Sequence, residues 1–349
     1  MCTSNLYRVV DLDKVDKHTG KLKSYIVSGK TYDVEEYRKH PFKWFVQPIP
    51  CGNCLECKLR KSQEWSFRCM KEASKYENNI MLTLTYDDEH LPKSKYVNLE
   101  TGELFESLTL KKDDVQKFMK RLRKKFGEGI RFFMCGEYGS DSEYKDWKGQ
   151  VRKGTERPHY HIILFNIKVE DLRFYKWSFC DWSKDKYPLF KSKTMEKLWP
   201  FGFVDLNEVT KETCDYVARY TTKKLKGDYA KKEYEEKGRI PPYLNMSRNP
   251  GIGYDFFEEN KEKFLNDSQS MYLKTKKGLV DIGTVRYYDK QIEKVAPETL
   301  KEIKNKRIDS SRSTWDDKLS KTNLKKYEYI NNQDIRNELK RIKLQRGLV

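Results

Sequence analysis

Residues 157–165 read RPHYHIILF, and this stretch restricts the fold more than any other part of the 349-residue chain. Pro158 has no N–H and suits the first position of a strand. Side chains two residues apart on a strand point to the same face, so His159 and His161 are predicted to share one face. The apolar residues that follow them are typical of a strand in the core of a sheet.

Further strands and helices alternate around this segment. The predicted strands cover residues 79–86, 130–138, 159–167 and about 202–206, and the predicted helices cover about 60–77, the segment 108–127, 193–200 and 210–225. Their order is strand, helix, strand, strand, helix, strand, helix. This succession predicts an α+β fold with a mostly antiparallel sheet and helices packed on one face.

Composition divides the chain into three parts. Residues 1–78 are expected to form an N-terminal extension, partly irregular up to residue 50, with a cysteine-rich module and a helix. Residues 79–228 contain the strands and helices of the predicted core. Residues 229–349 form a charged, basic C-terminal region, and from residue 296 onward we expect an extended or helical basic tail.

The charge balance points to a phosphate-rich partner. Lysine and arginine number 71 against 53 acidic residues, a formal net charge of +18. Neutralising nucleic-acid phosphates with so many cations would release counterions, which favours DNA or RNA as the ligand. A generally solubilising surface is the alternative.

The chain shows no sign of a membrane or secretory protein. Its first residues lack the apolar run of a signal peptide, and no stretch approaches the roughly 20 apolar residues that span a bilayer. We therefore expect a cytosolic protein without a membrane partner. In that reducing compartment the eight cysteines are expected to be free thiols or metal ligands.

The two histidines predict a metal site. Both imidazoles would face one ion, and Glu137, at the end of the preceding strand, is the expected third ligand because neighbouring strands lie roughly 5 Å apart. Glu143 and Glu156 in the intervening loop compete for that role. Two imidazoles and a carboxylate leave positions open for water or a phosphate oxygen, as Lewis-acid catalysis requires. The same ligands could hold non-haem iron, which the basic charge does not favour.

The segment YVARYTTKK, residues 216–224, carries two tyrosines four residues apart on a predicted helix. Tyr216 and Tyr220 therefore share a face, which Lys223 joins. Beside a metal-polarised phosphate, a phenol could attack phosphorus and form a phosphotyrosine. The alternative is an amphipathic helix that packs both tyrosines into the core.

A cysteine cluster precedes the first predicted helix. Cys51, Cys54 and Cys57 follow one another at intervals of three residues, and Cys69 comes twelve residues later. Four thiolates in one region predict a structural zinc site, while the three-cysteine run also resembles part of an iron–sulfur motif. The alternative is a set of buried thiols that bind nothing.

Taken together, these motifs resemble the HUH endonuclease superfamily, and more narrowly the replication initiators of the Microviridae, especially gokushovirus-like phages. The segments that carry the resemblance are PCGNCLECKLRKSQEW, MLTLTYDDEHLP, RPHYHIILF and YVARYTTKK, with SRNPGIGYDFF a weaker fifth, over roughly residues 45–257. The resemblance implies an RRM- or ferredoxin-like core and rolling-circle replication. It implies that the protein uses Mg²⁺ or Mn²⁺ to nick supercoiled double-stranded DNA at the phage origin and keeps a 5′-phosphotyrosine link. Host helicase and DNA polymerase would then carry out the synthesis in the bacterial cytoplasm.

The resemblance also assigns residues by position. Glu137, His159 and His161 take the metal-ligand roles, and Tyr216, Tyr220 and Lys223 take the catalytic roles. Contacts with single-stranded DNA are expected from Thr83, Thr85, Tyr86 and Lys224.

Two other functions stay open at this point. A plasmid initiator, relaxase or transposase would share the chemistry and differ in its DNA target. A non-enzymatic nucleic-acid-binding protein would use the basic charge alone.

Overall fold

The computed structural model describes residues 6–28, 34–98, 101–139, 143–145, 150–179, 186–223, 230–266, 270–275 and 278–324, together with residues 329, 332 and 336. Contacts within the chain separate two units. One consists of residues up to 61 with residues 314–343, and the other contains residues 62–313. The predicted three-part division at residues 78 and 228 stays a prediction.

The first unit contains a small antiparallel sheet. Its strands are β1 (Leu6–Val15), β2 (Leu22–Ser28) and β3 (Trp44–Ile49), in the order β2-β1-β3, with helix α1 (Val34–Arg38) between β2 and β3. Val9, Val27 and Val34 are buried together and form its core. The segment predicted to be partly irregular thus also contains a small sheet, whose buried valines are too few and too dispersed to stand out in the sequence.

The next elements, in chain order, are α2 (Leu55–Ala73), β4 (Asn79–Tyr86), β5 (Lys93–Val97), β6 (Leu104–Leu108), α3 (Lys112–Phe126), β7 (Arg131–Tyr138), β8 (Glu143–Lys145), β9 (Val151–Lys153), β10 (Pro158–Phe165), β11 (Arg173–Phe179), β12 (Lys186–Lys191), α4 (Lys193–Leu198), β13 (Gly202–Glu208) and α5 (Lys211–Lys223). The remaining elements are a π-helical turn (Lys231–Glu235), β14 (Tyr243–Met246), α6 (Tyr254–Glu259), α7 (Lys261–Asn266), β15 (Met271–Thr275), β16 (Gly278–Gly283), α8 (Arg286–Val295) and α9 (Pro297–Ser320).

A seven-stranded sheet forms the centre of the second unit. Its strand order is β11-β12-β13-β4-β10-β7-β14, and every neighbouring pair is antiparallel. The strand with the two histidines, β10, therefore lies between β4 and β7. The expected α+β fold with a mostly antiparallel sheet is confirmed.

Apolar side chains alternate along these strands and give the sheet two covered faces. One face packs against α3 and α4 through residues that include Leu82, Leu84, Ile162, Phe118 and Met195. The other face packs against α2 and α5 through residues that include Met81, Phe133, Ile163, Cys69 and Val217. Helices thus cover both faces of the sheet and not the single face that the sequence predicted, because both faces of the central strands are apolar.

A third apolar cluster involves the charged C-terminal region. Phe67 of α2 packs there with side chains from α6 to the first turns of α9, among them Phe257, Tyr288, Leu300 and Ile303. The expected solvated tail therefore begins later than residue 296. Leu300 and Ile303 lie three residues apart on one helical face, a short apolar signal among many charges. Among the described residues, no helix is both long and apolar enough to cross a bilayer.

Candidate active site

Strand pairing brings the predicted metal ligands together. His159 lies directly opposite Glu137 on β7 and Thr85 on β4, and His161 lies opposite Thr83. Residues that are directly opposite each other in an antiparallel pair have side chains on the same face. Glu137, both histidines and both threonines therefore share one face across three adjacent strands.

The side chains of the three predicted ligands are in direct contact. His159 Nε2 lies 2.8 Å from Glu137 Oε1, and His161 Nε2 lies 3.3 Å from the same oxygen. The ligand atoms of all three residues lie within 4.8 Å of one another. Glu137 is 3% exposed and His161 4% exposed, so the fold shields both of these predicted ligands from bulk water.

Hydrogen bonds at the far side of each imidazole orient the rings. His159 Nδ1 lies 2.9 Å from the carbonyl oxygen of Arg157, which can only accept, so Nδ1 carries the proton and donates it. His159 Nε2 lies 2.8 Å from Glu137 Oε1. A ring protonated at both nitrogens donates a hydrogen bond to this carboxylate, and a metal ion in place of that proton would bind the Nε2 lone pair. His161 Nδ1 lies 3.0 Å from Thr83 Oγ1, a second orienting bond of the kind that metal-ligating histidines make.

The charge state of Glu137 also fits a metal ligand. Burial raises the pKa of this carboxyl, but hydrogen bonds from His159 and His161 outweigh burial and lower the pKa to about 2. The carboxylate is therefore ionised at neutral pH, as coordination requires. An anionic oxygen and two imidazole nitrogens on one face fit a divalent cation with open positions.

Helix α5 places a tyrosine beside these ligands. Its first turn is capped by Thr210, whose Oγ1 accepts a hydrogen bond of 3.3 Å from the N–H of Thr213. Cys214 and Val217 are fully buried against the sheet and fix the rotation of the helix. That rotation leaves Tyr216 38% exposed, with its Oη 3.4 Å from His161 Nε2. The phenol is thus accessible to a ligand and adjacent to the predicted metal ligands.

The remaining residues of the predicted catalytic helix are described only in part. The backbone of α5 continues through Tyr220 to Lys223, so Tyr220 follows Tyr216 by about one helical turn. The side chains of Tyr220 and Lys223 lie outside the described residues, as does Lys224 altogether.

The two competing acids lie elsewhere. The Glu156 carboxylate accepts a hydrogen bond of 3.2 Å from Arg239. Glu143 is exposed at the start of β8. Glu137 is the acid that the described structure groups with the two histidines.

The residues predicted to contact DNA separate into two sets. Thr83 and Thr85 lie on the face of the metal ligands. Tyr86 is fully buried on the opposite face, where its hydroxyl donates to Asp114 Oδ2 at 3.1 Å and lies 3.2 Å from the hydroxyl of Tyr160. The prediction that Tyr86 contacts DNA is wrong, because strict alternation along β4 turns it away from Thr83 and Thr85.

Sequence reasoning missed a role for Thr83. Its hydroxyl orients His161, and the signal that could have revealed this is its position opposite His161 in the register of β4 and β10.

Three of the four predicted zinc ligands lie together. The sulfur atoms of Cys51, Cys54 and Cys57 are within 4.8 Å of one another, just before and within the first turn of α2. The backbone N–H groups of Asn53 and Cys54 donate to Cys51 Sγ at 3.4 and 3.2 Å.

Cys69 does not belong to this cluster. It is fully buried against the sheet with Met81 and Phe133. Cys57 and Cys69 lie on the same helix, and twelve residues along a helix correspond to a rise of about 18 Å. The prediction of Cys69 as a ligand is therefore wrong, because regular helical geometry separates the two thiols.

Comparisons with known proteins agree with this geometry. A family model that describes replication-associated proteins of the ORF2 type matches residues 79–225, the segment that contains the histidines and Tyr216. The Replication-associated protein ORF2 of Spiroplasma virus 4 is 32% identical over 270 residues, which cover 75% of this chain and 73% of that protein.

Two further relatives have similar names. The Replication-associated protein ORF4 of Chlamydia phage 1 is 32% identical over 229 residues, covering 62% of this chain and 48% of that protein. The Replication-associated protein VP4 of Bdellovibrio phage phiMH2K is 28% identical over 259 residues, which cover 72% of this chain and 69% of that protein. No solved structure matches the chain. The chain belongs to the family of Microviridae-like replication-associated proteins, and its role is in the initiation of phage DNA replication.

Proposed function

We propose that this replication initiator is a site-specific, metal-dependent endonuclease and strand transferase. It would nick one strand at the phage origin through Tyr216, keep a 5′-phosphotyrosine link and start rolling-circle synthesis. The observation that carries the proposal is the separation of 3.4 Å between Tyr216 Oη and His161 Nε2, in a site that also contains His159 and Glu137.

Glu137, His159 and His161 would hold Mg²⁺ or Mn²⁺. When bound there, such an ion polarises a phosphodiester and stabilises the negative charge that develops on its oxygens. The protein supplies the geometry, because hydrogen bonds of the two Nδ1 atoms with the Arg157 carbonyl and the Thr83 hydroxyl hold both imidazoles with Nε2 toward the common centre.

In the proposed step Tyr216 Oη attacks phosphorus. A bond forms between the phenolic oxygen and phosphorus, and the bond between phosphorus and the 3′ oxygen breaks. The phenol proton passes to water, and the departing 3′ oxygen takes up a proton to become a free hydroxyl. One phosphodiester is exchanged for another, so the strand can later be rejoined without ATP. The 3′-hydroxyl is a primer for a polymerase.

Tyr220 is proposed as the second nucleophile. Four residues beyond Tyr216 on the same helix, it could cut a second time while the first covalent bond persists. That sequence of events releases a unit-length strand and closes it into a circle. Lys223, three residues further on, would favour the ionised phenol, and Lys224 would contact DNA.

The proposed reaction also implies partners. The substrate would be single-stranded and supercoiled origin DNA, and host helicase and DNA polymerase would extend the freed 3′ end in the bacterial cytoplasm.

Supercoiled replicative-form DNA that contains the origin tests the proposal directly. Incubation with the protein and Mn²⁺ should give relaxed circles with protein attached to a 5′ end. Trypsin cuts after Arg219 and so places Tyr216 in residues 212–219 and Tyr220 in residues 220–223. Mass spectrometry of the DNA-linked peptide then identifies the nucleophile. Intact supercoiled circles would instead identify a non-enzymatic binder, and an adduct on any other peptide would place the nucleophile elsewhere.

We also propose that Cys51, Cys54 and Cys57 hold a structural zinc ion. Zinc–sulfur bonds of about 2.3 Å at tetrahedral angles place sulfur atoms about 3.8 Å apart, which small movements of these three side chains can reach. Three thiolates leave one tetrahedral position for a further ligand.

A further inference from the structure

The sheet face that bears the metal ligands continues beyond β4 as an exposed surface. On β13, Phe203 lies directly opposite Thr85 and Asp205 directly opposite Thr83. These two residues therefore share the face of His159 and His161. Phe203 is 59% exposed, an unusual exposure for a large apolar ring in a central strand.

The next two strands extend this surface to the edge of the sheet. Lys191 at the end of β12 forms an ion pair of 2.9 Å with Asp205, and its ammonium lies 5.2 Å from the centre of the Tyr175 ring on β11. The ammonium of Lys176 also lies 5.2 Å from the centre of that ring. Tyr175 is 54% exposed. Lys191 thus contacts both Asp205, on the face of the site, and the exposed Tyr175 ring. Its ammonium restrains the ring through a cation–π interaction.

The opposite face of the same hairpin carries a different aromatic group. Trp177 of β11 is 61% exposed and lies 5.5 Å, centre to centre, from Phe174, which contacts Phe190. Phe190 packs against the cluster covered by α3 and α4. Trp177 therefore belongs to the side of the sheet that faces away from the metal ligands, and it provides a natural control.

We propose that Phe203 and Tyr175, the latter in contact with Lys191, form a stacking platform for the bases of the single strand that enters the metal site. The inference rests on the proposed function and adds the surface that holds the flanking DNA. Aromatic rings accept any base by stacking, and the ammonium of Lys176 beside Tyr175 favours the phosphates. Asp205, an acid that the strand pairing places on this surface, is neutralised by Lys191.

The width of the sheet between β10 and β11 suits a short stretch of DNA beside the scissile phosphate. From β10 to β11 there are four strand spacings of about 4.8 Å, or about 19 Å in total. At a stacked spacing of about 3.4 Å per nucleotide this distance corresponds to at most about six nucleotides. The stacking platform would therefore hold bases within that distance of the scissile phosphate.

Binding of a fluorescent oligothymidylate of about 20 nucleotides tests the proposal. Fluorescence anisotropy in EDTA measures affinity without cleavage. Tyr175→Ala and Phe203→Ala should each weaken binding by about 5- to 150-fold, the range for loss of one base–aromatic stack. Trp177→Ala, of similar exposure on the other face, should leave affinity unchanged. Equal losses in all three variants, or no loss in the first two, would overturn the proposal, provided that thermal unfolding shows each variant to be folded.

A second probe separates stacking from charge. Replacing the bases of the oligonucleotide by abasic sites should weaken wild-type binding and remove the difference between wild type and Tyr175→Ala. A difference that persists with the abasic probe would contradict stacking.

The outcome is independent of the nicking chemistry. If both proposals hold, the wild-type protein should form the adduct, and Tyr175→Ala and Phe203→Ala should bind the oligothymidylate more weakly than the wild type. Normal binding by Tyr175→Ala and Phe203→Ala together with a wild-type adduct would reject the stacking platform alone. Loss of binding in those two variants without any wild-type adduct would reject the nuclease alone.

Discussion

His161 and Tyr216 meet edge to face, with ring centres 4.9 Å apart and ring planes at 84°. They are 55 residues apart in the sequence and come from a central strand and from a helix that covers one end of its face. The edge-to-face arrangement brings the phenolic oxygen to the nitrogen that would bind a metal ion. A single contact therefore joins the two motifs on which the proposed reaction depends.

Tyr216→Phe should abolish the DNA adduct on residues 212–219, because the change removes the attacking oxygen and leaves the packing of the ring intact. Denaturing gels and peptide mapping of the covalent product measure this effect. Tyr25→Phe, a change at another exposed tyrosine, serves as the matched control and should form the adduct normally. The double variant Tyr216→Phe, Tyr220→Phe should form no adduct, and survival of an adduct would exclude both tyrosines as the nucleophiles.

Thr83→Val should weaken Mn²⁺ binding by about 10- to 100-fold, the usual effect of removing a partner that orients a metal-ligating histidine. Titration calorimetry of the DNA-free protein measures it. Thr85→Val is the control, because it lies opposite His159, whose Nδ1 bonds to the Arg157 carbonyl instead. Similar affinities in the two variants would show that the threonine hydroxyl does not support the site.

Tyr86→Phe should lower the free energy of unfolding by about 1–3 kcal/mol, because the change leaves the buried Asp114 carboxylate without the Tyr86 hydroxyl. Affinity for oligothymidylate should stay the same, since the ring lies on the face away from the metal ligands. Chemical denaturation and anisotropy provide the two readouts. A loss of DNA affinity at unchanged stability would restore Tyr86 as a DNA contact.

Cys54→Ser should reduce the zinc content of the purified protein, measured by mass spectrometry of the elements, because it removes one of three adjacent thiolates. Cys69→Ala should retain the metal and lower stability slightly, since that thiol is packed in the apolar core. Equal zinc contents in both variants and in the wild type would reject the cysteine cluster as the site.

The sequence by itself determined the local features of the site. The period-two alternation in RPHYHIILF was enough to place His159 and His161 on one face, and antiparallel pairing was enough to suggest Glu137. The helical spacing of Cys214 and Val217 is visible in the sequence and accounts for the rotation of α5. The α+β class followed from the order of the elements, because local periodicity alone defines most of them.

The tertiary structure decided the relations between segments that are distant in sequence. The burial of Tyr86, the separation of Cys69 from the other cysteines and the bond from Thr83 to His161 all depend on which strand lies beside which. The three apolar clusters of the second unit assemble from side chains far apart in the chain, including Leu300 and Ile303 in a region whose composition predicts a solvated surface. The local periodicity of the sequence predicts which face a side chain lies on, whereas the packing of the whole chain determines which residues it contacts.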